Sequence, residues 1–362
     1  MPTDSVLRVL IAGGGTGGHI IPAITIADQL VAERSAEILF VGTPRGLESR
    51  LVPKAGYKLS LIEVGQLNNV SLMTRARTAF DLPRSILRCL GLLRRFRPNV
   101  VVGVGGYASG PAMLAAQLLR IPTLAFEPNA VPGMANRMVG KRVQAAAVNF
   151  ASAASYFRHA QITGIPVRKE FFYLPPRPIG QGPHLLVFGG SQGARVFNEA
   201  LPEAVADLMA AVPGLTIMHQ AGAGHAETTE RAYQASGVDH GRWRVEEFLD
   251  DMPHRFAEAD LILSRSGAAT VAELAAAGKP SLLVPFPLAA DDHQRKNAEA
   301  MVEAGGAAML LQSEITPKRL CRELVSLLAD PASLATMGAR ARSLAHTDAV
   351  EAIARMALKI AH

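Results

Sequence analysis

Apolar residues in this chain fall into short uninterrupted runs, separated by longer stretches in which they recur every three or four positions. Val6 to Ala12 is such a run, Gly13-Gly14-Gly15-Thr16-Gly17-Gly18-His19 follows it, and Ile20 to Leu30 has helical spacing. A short continuous run bounded by glycine reads as a strand covered on both faces, and a period near 3.6 reads as a helix. Strands are predicted in the same way at Glu37 to Gly42, Lys58 to Val64, Asn99 to Val104, Thr123 to Glu127 and Val143 to Val148. Helices are predicted between them at Leu47 to Lys54, Ser71 to Phe96, Tyr107 to Leu119 and Gly133 to Gly140. Such alternation predicts an α/β fold, a parallel sheet with helices on both faces.

The pattern stops between Gly164 and Pro183, where Pro166, Pro175, Pro176, Pro178 and Pro183 mark a linker. It resumes with a strand from His184 to Phe188, a second glycine turn from Gly189 to Ala194 and a helix from Arg195 to Ala211. Further strands are expected at Thr216 to Gln220, Arg244 to Glu247, Leu261 to Ser264, Ser281 to Val284 and Ala307 to Leu311. The two halves thus share one plan: two doubly wound, Rossmann-like domains, residues 1–166 and 167–345, with ligand edges toward a common cleft. The last helix, within residues 346–362, is expected to pack back on the first domain.

Composition narrows the picture. A chain of 362 residues, 49% hydrophobic and 19% charged, is globular and long enough for two cores. Its two cysteines, Cys89 and Cys321, are far apart and in no metal-ligand spacing, which fits a reducing cytoplasm. The N-terminal segment has no basic region or small-residue cleavage site of a signal peptide. Pro98 to Leu119 is uncharged and long enough to raise a membrane-spanning reading, but glycines and Pro111 crowd its middle. The net charge of +6 points to an anionic partner.

Neither glycine turn has the G-x-G-x-x-G form, no acid follows at ribose distance and no Walker lysine is present, so a dehydrogenase or P-loop enzyme fits poorly. Ser264 to Glu273 is more informative: a strand end, then small residues opening a helix, with Glu273 one turn inside it. Backbone N–H groups and the Thr270 hydroxyl can hold a diphosphate there, and a carboxylate can accept both hydroxyls of a ribose; the plain alternative is a capping or solvated Glu273. Asp291 to Ala298 is a polar cluster at a helix start, in which Gln294 suits sugar hydroxyls and Asp291 or Asp292 suits a helix cap. The paired aspartates 250–251 and 291–292 form no metal cluster, so no metal or other cofactor is expected to be needed.

Seven segments occur in order: GGGTGGH, GGYASGP (105–111), EPN (127–129), GGSQGAR, EFLDDM, SRSGAATVAE and DDHQRKNA. Together they resemble the MurG family, peptidoglycan glycosyltransferases of the GT-B fold. The resemblance implies an inverting transfer of N-acetylglucosamine from UDP-N-acetylglucosamine to undecaprenyl-diphospho-muramoyl-pentapeptide (lipid I), giving lipid II. It implies that Leu249 and Arg168 meet the uracil, that Glu273 takes the ribose, that Ser191 with Ala268, Ala269 and Thr270 holds the diphosphate, and that Val271 and Ala272 also belong to the UDP-N-acetylglucosamine site. Gln294 is implied to meet the sugar hydroxyls, with Thr16, Gly17, Gly18 and Asn129 completing the donor's surroundings. Two departures stand out: Pro128, where many relatives carry glutamine, and His293, where some carry a second one.

Inverting transfer needs a base for the acceptor hydroxyl. His19 is one candidate, since imidazole titrates near neutrality, and Glu127 is the other, or a group that orients His19. A histidine beside a glycine turn can also be purely structural. A polyprenyl acceptor requires a membrane-facing surface, and Gln66 to Arg97 carries seven arginines, Arg84, Arg88 and Arg94 among them, interleaved with apolar residues. The resemblance adds Lys141 and Tyr107 to the acceptor and membrane side, a peripheral location on the cytoplasmic face of the inner membrane, and other cell-wall synthesis proteins as partners. The competing reading of 66–97 is an amphipathic core helix with solvated arginines. A UDP-sugar 2-epimerase, a transferase for soluble acceptors and a non-catalytic nucleotide-sugar scaffold remain as alternatives. Nucleic acid is not expected, because the basic charge sits among aliphatic rather than stacking aromatic residues.

Overall fold

The computed structural model of the chain describes residues 6–15, 17–44, 46–64, 72–176, 182–190 and 192–361. The chain divides into two compact units, Met1–Val167 with Asp348–His362, and Arg168–Thr347.

The first unit is built on β1 (Arg8–Ala12), β2 (Glu37–Gly42), β3 (Lys58–Leu61), β4 (Val100–Gly103), β5 (Thr123–Glu127), β6 (Ala145–Val148) and β7 (Ala160–Ile162). Its helices are α1 (Gly17–Arg34), α2 (Glu48–Lys54), α3 (Leu72–Phe96), α4 (Ser109–Leu118), α5 (Met134–Val139) and α6 (Ala151–Ala154). All seven strands are parallel, in the order β3-β2-β1-β4-β5-β6-β7. The central strands are apolar throughout because helices cover both faces. Leu10, Ala12, Val101 and Ala146 join Cys89 and Leu93 of α3, Met113 of α4 and Val139 of α5 in one buried cluster.

The second unit contains β8 (His184–Phe188), α7 (Arg195–Ala211), β9 (Thr216–Gln220), α8 (Ala226–Ala235), β10 (Trp243–Glu246), α9 (Met252–Glu258), β11 (Leu261–Ser264), α10 (Ala268–Ala277), β12 (Ser281–Leu283), α11 (His293–Glu303), β13 (Ala308–Met309), α12 (Pro317–Leu328) and α13 (Pro331–Arg342). Its parallel sheet runs β10-β9-β8-β11-β12-β13, the same winding as the first. The last helix, α14 (Ala349–Ile360), lies in the first unit, against α1 and strands β4, β5 and β6.

In each sheet the strand order reverses beside the opening strand, between β1 and β4 and between β8 and β11. Open α/β sheets bind ligands at that switch point, off the carboxyl ends of the strands. Both glycine turns lie there.

Two details differ from the pattern read in the sequence. Strand β7 is a three-residue edge, AQI, too short and too polar to register as a run. The proline-rich linker contains a 3-10 turn, Lys169–Tyr173, whose Phe171 is fully buried and meets Phe256 of α9 edge-on at 5.0 Å. The uncharged stretch from Pro98 splits into β4 and α4, and no helix among the described residues is long and apolar enough to cross a membrane.

Candidate active site

In the first unit two glycine turns interlock. The Gly14 N–H donates to the Gly105 carbonyl at 3.3 Å, and the Gly13 N–H to Val41 at 3.0 Å. A Cβ on Gly106, whose φ is 81°, would overlap the Gly14 carbonyl oxygen, so this approach is open only to glycine. His19, in the first turn of α1 and half-buried, lays its imidazole against Gly105: a Cβ there would stand 2.9 Å from Cε1 and 3.1 Å from Nδ1. The backbone therefore aims the ring toward the switch point. Gly17 and Gly18 open α1 beside it, and Thr16 lies outside the described residues.

Glu127 ends β5 and is 1% exposed. One oxygen accepts from the Asn129 N–H at 2.9 Å and its side-chain amide at 3.1 Å. The other accepts from the Gly133 N–H at 3.1 Å and the Asn136 amide at 3.0 Å. Burial raises its pKa above the usual carboxylate range, and these four donors pull it back. The carboxylate thus ties down the loop from Asn129 to Asn136. Asn129, next to Pro128, is held by Glu127 directly.

In the second unit the Gly190 to Gly193 turn closes with a 2.8 Å bond from the Gly193 N–H to the Gly190 carbonyl, and Ser191 lies outside the described residues. The turn rests on the segment after β9: a Cβ on Gly193, φ 68°, would overlap the Ala221 carbonyl oxygen. A buried network fixes that segment. The Asn198 amide donates to Ala221 at 2.9 Å, which turns its oxygen toward His219 Nε2 at 3.1 Å, and His219 Nδ1 faces the Tyr233 hydroxyl at 3.0 Å. The arrangement assigns the proton to Nε2 of a neutral ring, and burial lowers the His219 pKa to about 3.

The open end of α10 stands off β11. Its N-cap, Gly267, makes no side-chain capping bond. Ala268, Ala269 and Thr270, the helix start expected at the diphosphate, keep unbonded N–H groups, whereas the Val271 N–H is spent on the Gly267 carbonyl at 3.0 Å and Ala272 lies deeper in the helix. Free N–H groups and the positive end of the helix dipole form an anion site. Glu273 is half-buried one turn further in. Desolvation pushes its carboxyl up to about 7, and the Arg168 charge acts to lower it. Arg168 reaches that neighbourhood because the 3-10 turn it opens packs on α9 and α10, with its guanidinium over the Phe171 ring at 5.0 Å. Leu249 is buried between β10 and α9, next to a half-exposed Phe248.

Gln294 sits in the first turn of α11, where its side-chain oxygen accepts the Phe286 N–H at 3.0 Å, leaving the amide N–H groups for a ligand. Asp292 occupies the N-cap of α11 but makes no side-chain capping bond, and both it and Asp291 adopt left-handed backbone. The sequence gives no signal for Arg265. Its guanidinium donates to the Val284 and Pro285 carbonyls at 3.2 and 3.1 Å and to Gln312 at 2.6 Å, between the rings of Phe197 and Phe286. Desolvation lowers its pKa to about 10, still far above neutrality. It therefore holds a full positive charge next to the α10 start and braces the loop that carries Phe286. Among the described residues no group of three or more His, Cys, Asp or Glu stands close enough to hold a metal ion.

The residues expected at the membrane are spread over the first unit. Arg84, Arg88 and Arg94 are exposed on one face of α3, and Arg88 pairs with Glu63 at 3.3 Å. Most apolar residues of this half of α3 do not share that face. Ile86, Leu90, Leu92 and Phe96 pack on the core, Leu93 is in it, and only Leu87, at 67%, is an exposed large apolar side chain among those described. An apolar membrane surface is thus not present on α3 from residue 81 onward, which is a core helix with a basic outer face. Lys141 is exposed and donates to the Ser155 carbonyl at 2.8 Å, and Tyr107 is 41% exposed after β4.

Comparison with known proteins covers most of the chain. Residues 9–148 match the glycosyltransferase family 28 N-terminal domain, and residues 184–353 match the family 28 C-terminal domain. A Geobacter sp. (strain M21) protein, UDP-N-acetylglucosamine--N-acetylmuramyl-(pentapeptide) pyrophosphoryl-undecaprenol N-acetylglucosamine transferase, is 42% identical over 353 residues, 96% of this chain and 94% of its own. The crystal structure of Acinetobacter baumannii MurG superposes with a TM-score of 0.80 at 30% identity, covering 98% of this chain and 99% of that one. A putative UDP-N-acetylglucosamine 2-epimerase from Listeria monocytogenes shares the fold, with a TM-score of 0.70 at 15% identity over 96% of this chain and 95% of its own.

Proposed function

We propose a reaction for this chain, which belongs to glycosyltransferase family 28: transfer of N-acetylglucosamine from UDP-N-acetylglucosamine to undecaprenyl-diphospho-muramoyl-pentapeptide, giving lipid II and UDP with inversion at the anomeric carbon. The observation that carries it is the open N-terminus of α10 with Glu273 and Arg168 beside it, a nucleoside diphosphate site in a chain 42% identical to a transferase of that name.

The second unit takes the donor. The N–H groups of Ala268, Ala269 and Thr270 receive the diphosphate, with Ser191 on the other glycine turn. Glu273 accepts from the ribose hydroxyls, Arg168 and the Leu249 backbone meet the uracil, and Gln294 donates to the sugar. As the bond from the anomeric carbon to the diphosphate breaks, its electron pair goes to UDP. Negative charge then grows where the helix-start N–H groups and the nearby Arg265 cation are already fixed, so little reorganisation is needed.

From the first unit, His19 takes the proton of the acceptor hydroxyl as its oxygen bonds to the anomeric carbon. Both Glu127 oxygens are occupied by donors from its own loop, which suits a positioning role, and the placement of the His19 ring against Gly105 at the switch point supports the histidine as the base. Glycine turns and Asn129 complete the surroundings of the sugar. The basic outer face of α3, with Lys141 and Tyr107 on the acceptor side, supports a peripheral position on the anionic cytoplasmic face of the inner membrane, where other cell-wall synthesis proteins work.

Incubation with labelled UDP-N-acetylglucosamine and a lipid I analogue tests the reaction. A lipid-linked disaccharide is expected. Conversion of the nucleotide sugar to its 2-epimer, transfer only to soluble acceptors, or binding without turnover would each replace this reading with one of its rivals.

A further inference from the structure

Glu48, the first residue of α2, is 1% exposed, and no step of the reaction above uses it. Its Oε2 accepts the Gly15 N–H at 2.7 Å, and its Oε1 accepts both the N–H and the hydroxyl of Thr43, at 2.8 and 2.9 Å. Three glycines make room for it: a Cβ on Gly14, Gly42 or Gly46 would overlap the Glu48 side chain. A buried carboxylate given this much space beneath a glycine turn is a built feature, because burying an ionisable group is unfavourable unless its oxygens are satisfied.

We propose that Glu48 is the positioning residue for His19, a role that rests on reading His19 as the base. Gly13, Gly14 and Gly15 have few internal constraints of their own, since glycine has no Cβ. Glu48 pins the turn from below at Gly15, while Gly105 accepts from Gly14 on the neighbouring strand end. The two anchors fix Gly14 and Gly15 a few residues before His19, whose imidazole lies against the same Gly105. Loss of the lower anchor frees the Gly15 peptide and lets the ring wander by an ångström or so, enough to cost on the order of a hundredfold in rate when the base must meet a hydroxyl.

Glutamine at position 48 isolates the anchor. Its single oxygen is drawn to the two Thr43 donors, which leaves the amide nitrogen facing the Gly15 N–H, donor against donor. Full-length Glu48→Gln is expected to lose at least tenfold in kcat with the UDP-N-acetylglucosamine KM within about twofold of wild type, because the residues that hold the nucleotide lie in the second unit and the first-unit turn meets only the sugar. Gly46→Ala, which displaces the carboxylate but keeps its charge, is expected to behave alike and serves if the glutamine variant folds poorly. The test is completed by His19→Ala and the double variant. If Glu48 acts through His19, Glu48→Gln adds little to the loss in His19→Ala. Wild-type kcat in both Glu48→Gln and Gly46→Ala, or a further tenfold loss in the double variant, overturns the proposal. Wild-type kcat in His19→Ala instead overturns the reading of His19 as base, so the two failures are told apart.

Discussion

Desolvation on α10 pushes the Glu273 carboxyl up to about 7, with the Arg168 charge pulling the other way, so this side chain changes charge within the ordinary assay range. Two consequences follow with opposite sign. Between the unfolded carboxylate value near 4.5 and about 7 the folded state holds more protons than the unfolded one, so stability of the unliganded protein declines as pH rises through that window. Donor binding runs the other way, since a ribose hydroxyl donates best to the ionised form: the donor KM should rise by up to about tenfold for each pH unit below the Glu273 pKa. Glu273→Gln should flatten both profiles and raise the donor KM roughly 10- to 100-fold, the usual loss for hydrogen bonds to a charged acceptor. Thermal melts and donor KM from pH 5 to 8 measure both. A melting temperature that falls as pH rises through this window while the donor KM does not fall with it would remove Glu273 from the ribose.

At the scale of elements, α3 carries two independent patterns. Leu93 and the residues packed beside it on the core hold the helix down, and Arg84, Leu87, Arg88 and Arg94 face outward. Among the described side chains of α3, from residue 81 onward, only the second pattern is available to a membrane, and it is electrostatic. An arginine at an anionic surface contributes about 1 kcal/mol, so reversing Arg84, Arg88 and Arg94 to Glu should lower partitioning onto anionic vesicles by about a hundredfold or more at low salt. The Arg88–Glu63 pair withholds part of that charge, so Glu63→Gln should tighten binding modestly. Vesicle sedimentation across a salt series measures this; binding that ignores both salt and the triple reversal would exclude the α3 face as the contact. Neither change touches the core, and thermal stability should stay near that of wild type.

The molecule as a whole repeats one winding twice, and that was readable because a strand covered on both faces leaves an uninterrupted apolar run, as RVLIA of β1 and HLLVF of β8 do. What could not be read is whatever depends on partners distant in sequence. Glu48 meets Gly15 from 33 residues away, Arg265 is braced by Gln312, and Arg168 reaches Glu273 only because Phe171 is buried against Phe256 in what looks like a plain linker. The four donors on Glu127 and the three on Glu48, visible only in the fold, show two buried carboxylates that tie down glycine-bearing loops. Ile353 of α14 is fully buried in the first unit although it follows the whole second unit in sequence, and Ile353→Ala should remove about 2–5 kcal/mol from that unit. In a unit of this size that is a shift of roughly 5–15 °C. UDP should stabilise the second unit instead, by about 2.7 kcal/mol at a hundredfold excess over Kd. Scanning calorimetry of the full chain should therefore show a UDP-insensitive transition lowered by Ile353→Ala and a UDP-raised transition that the substitution leaves in place. One transition moved by both would mean that the two cores unfold as one.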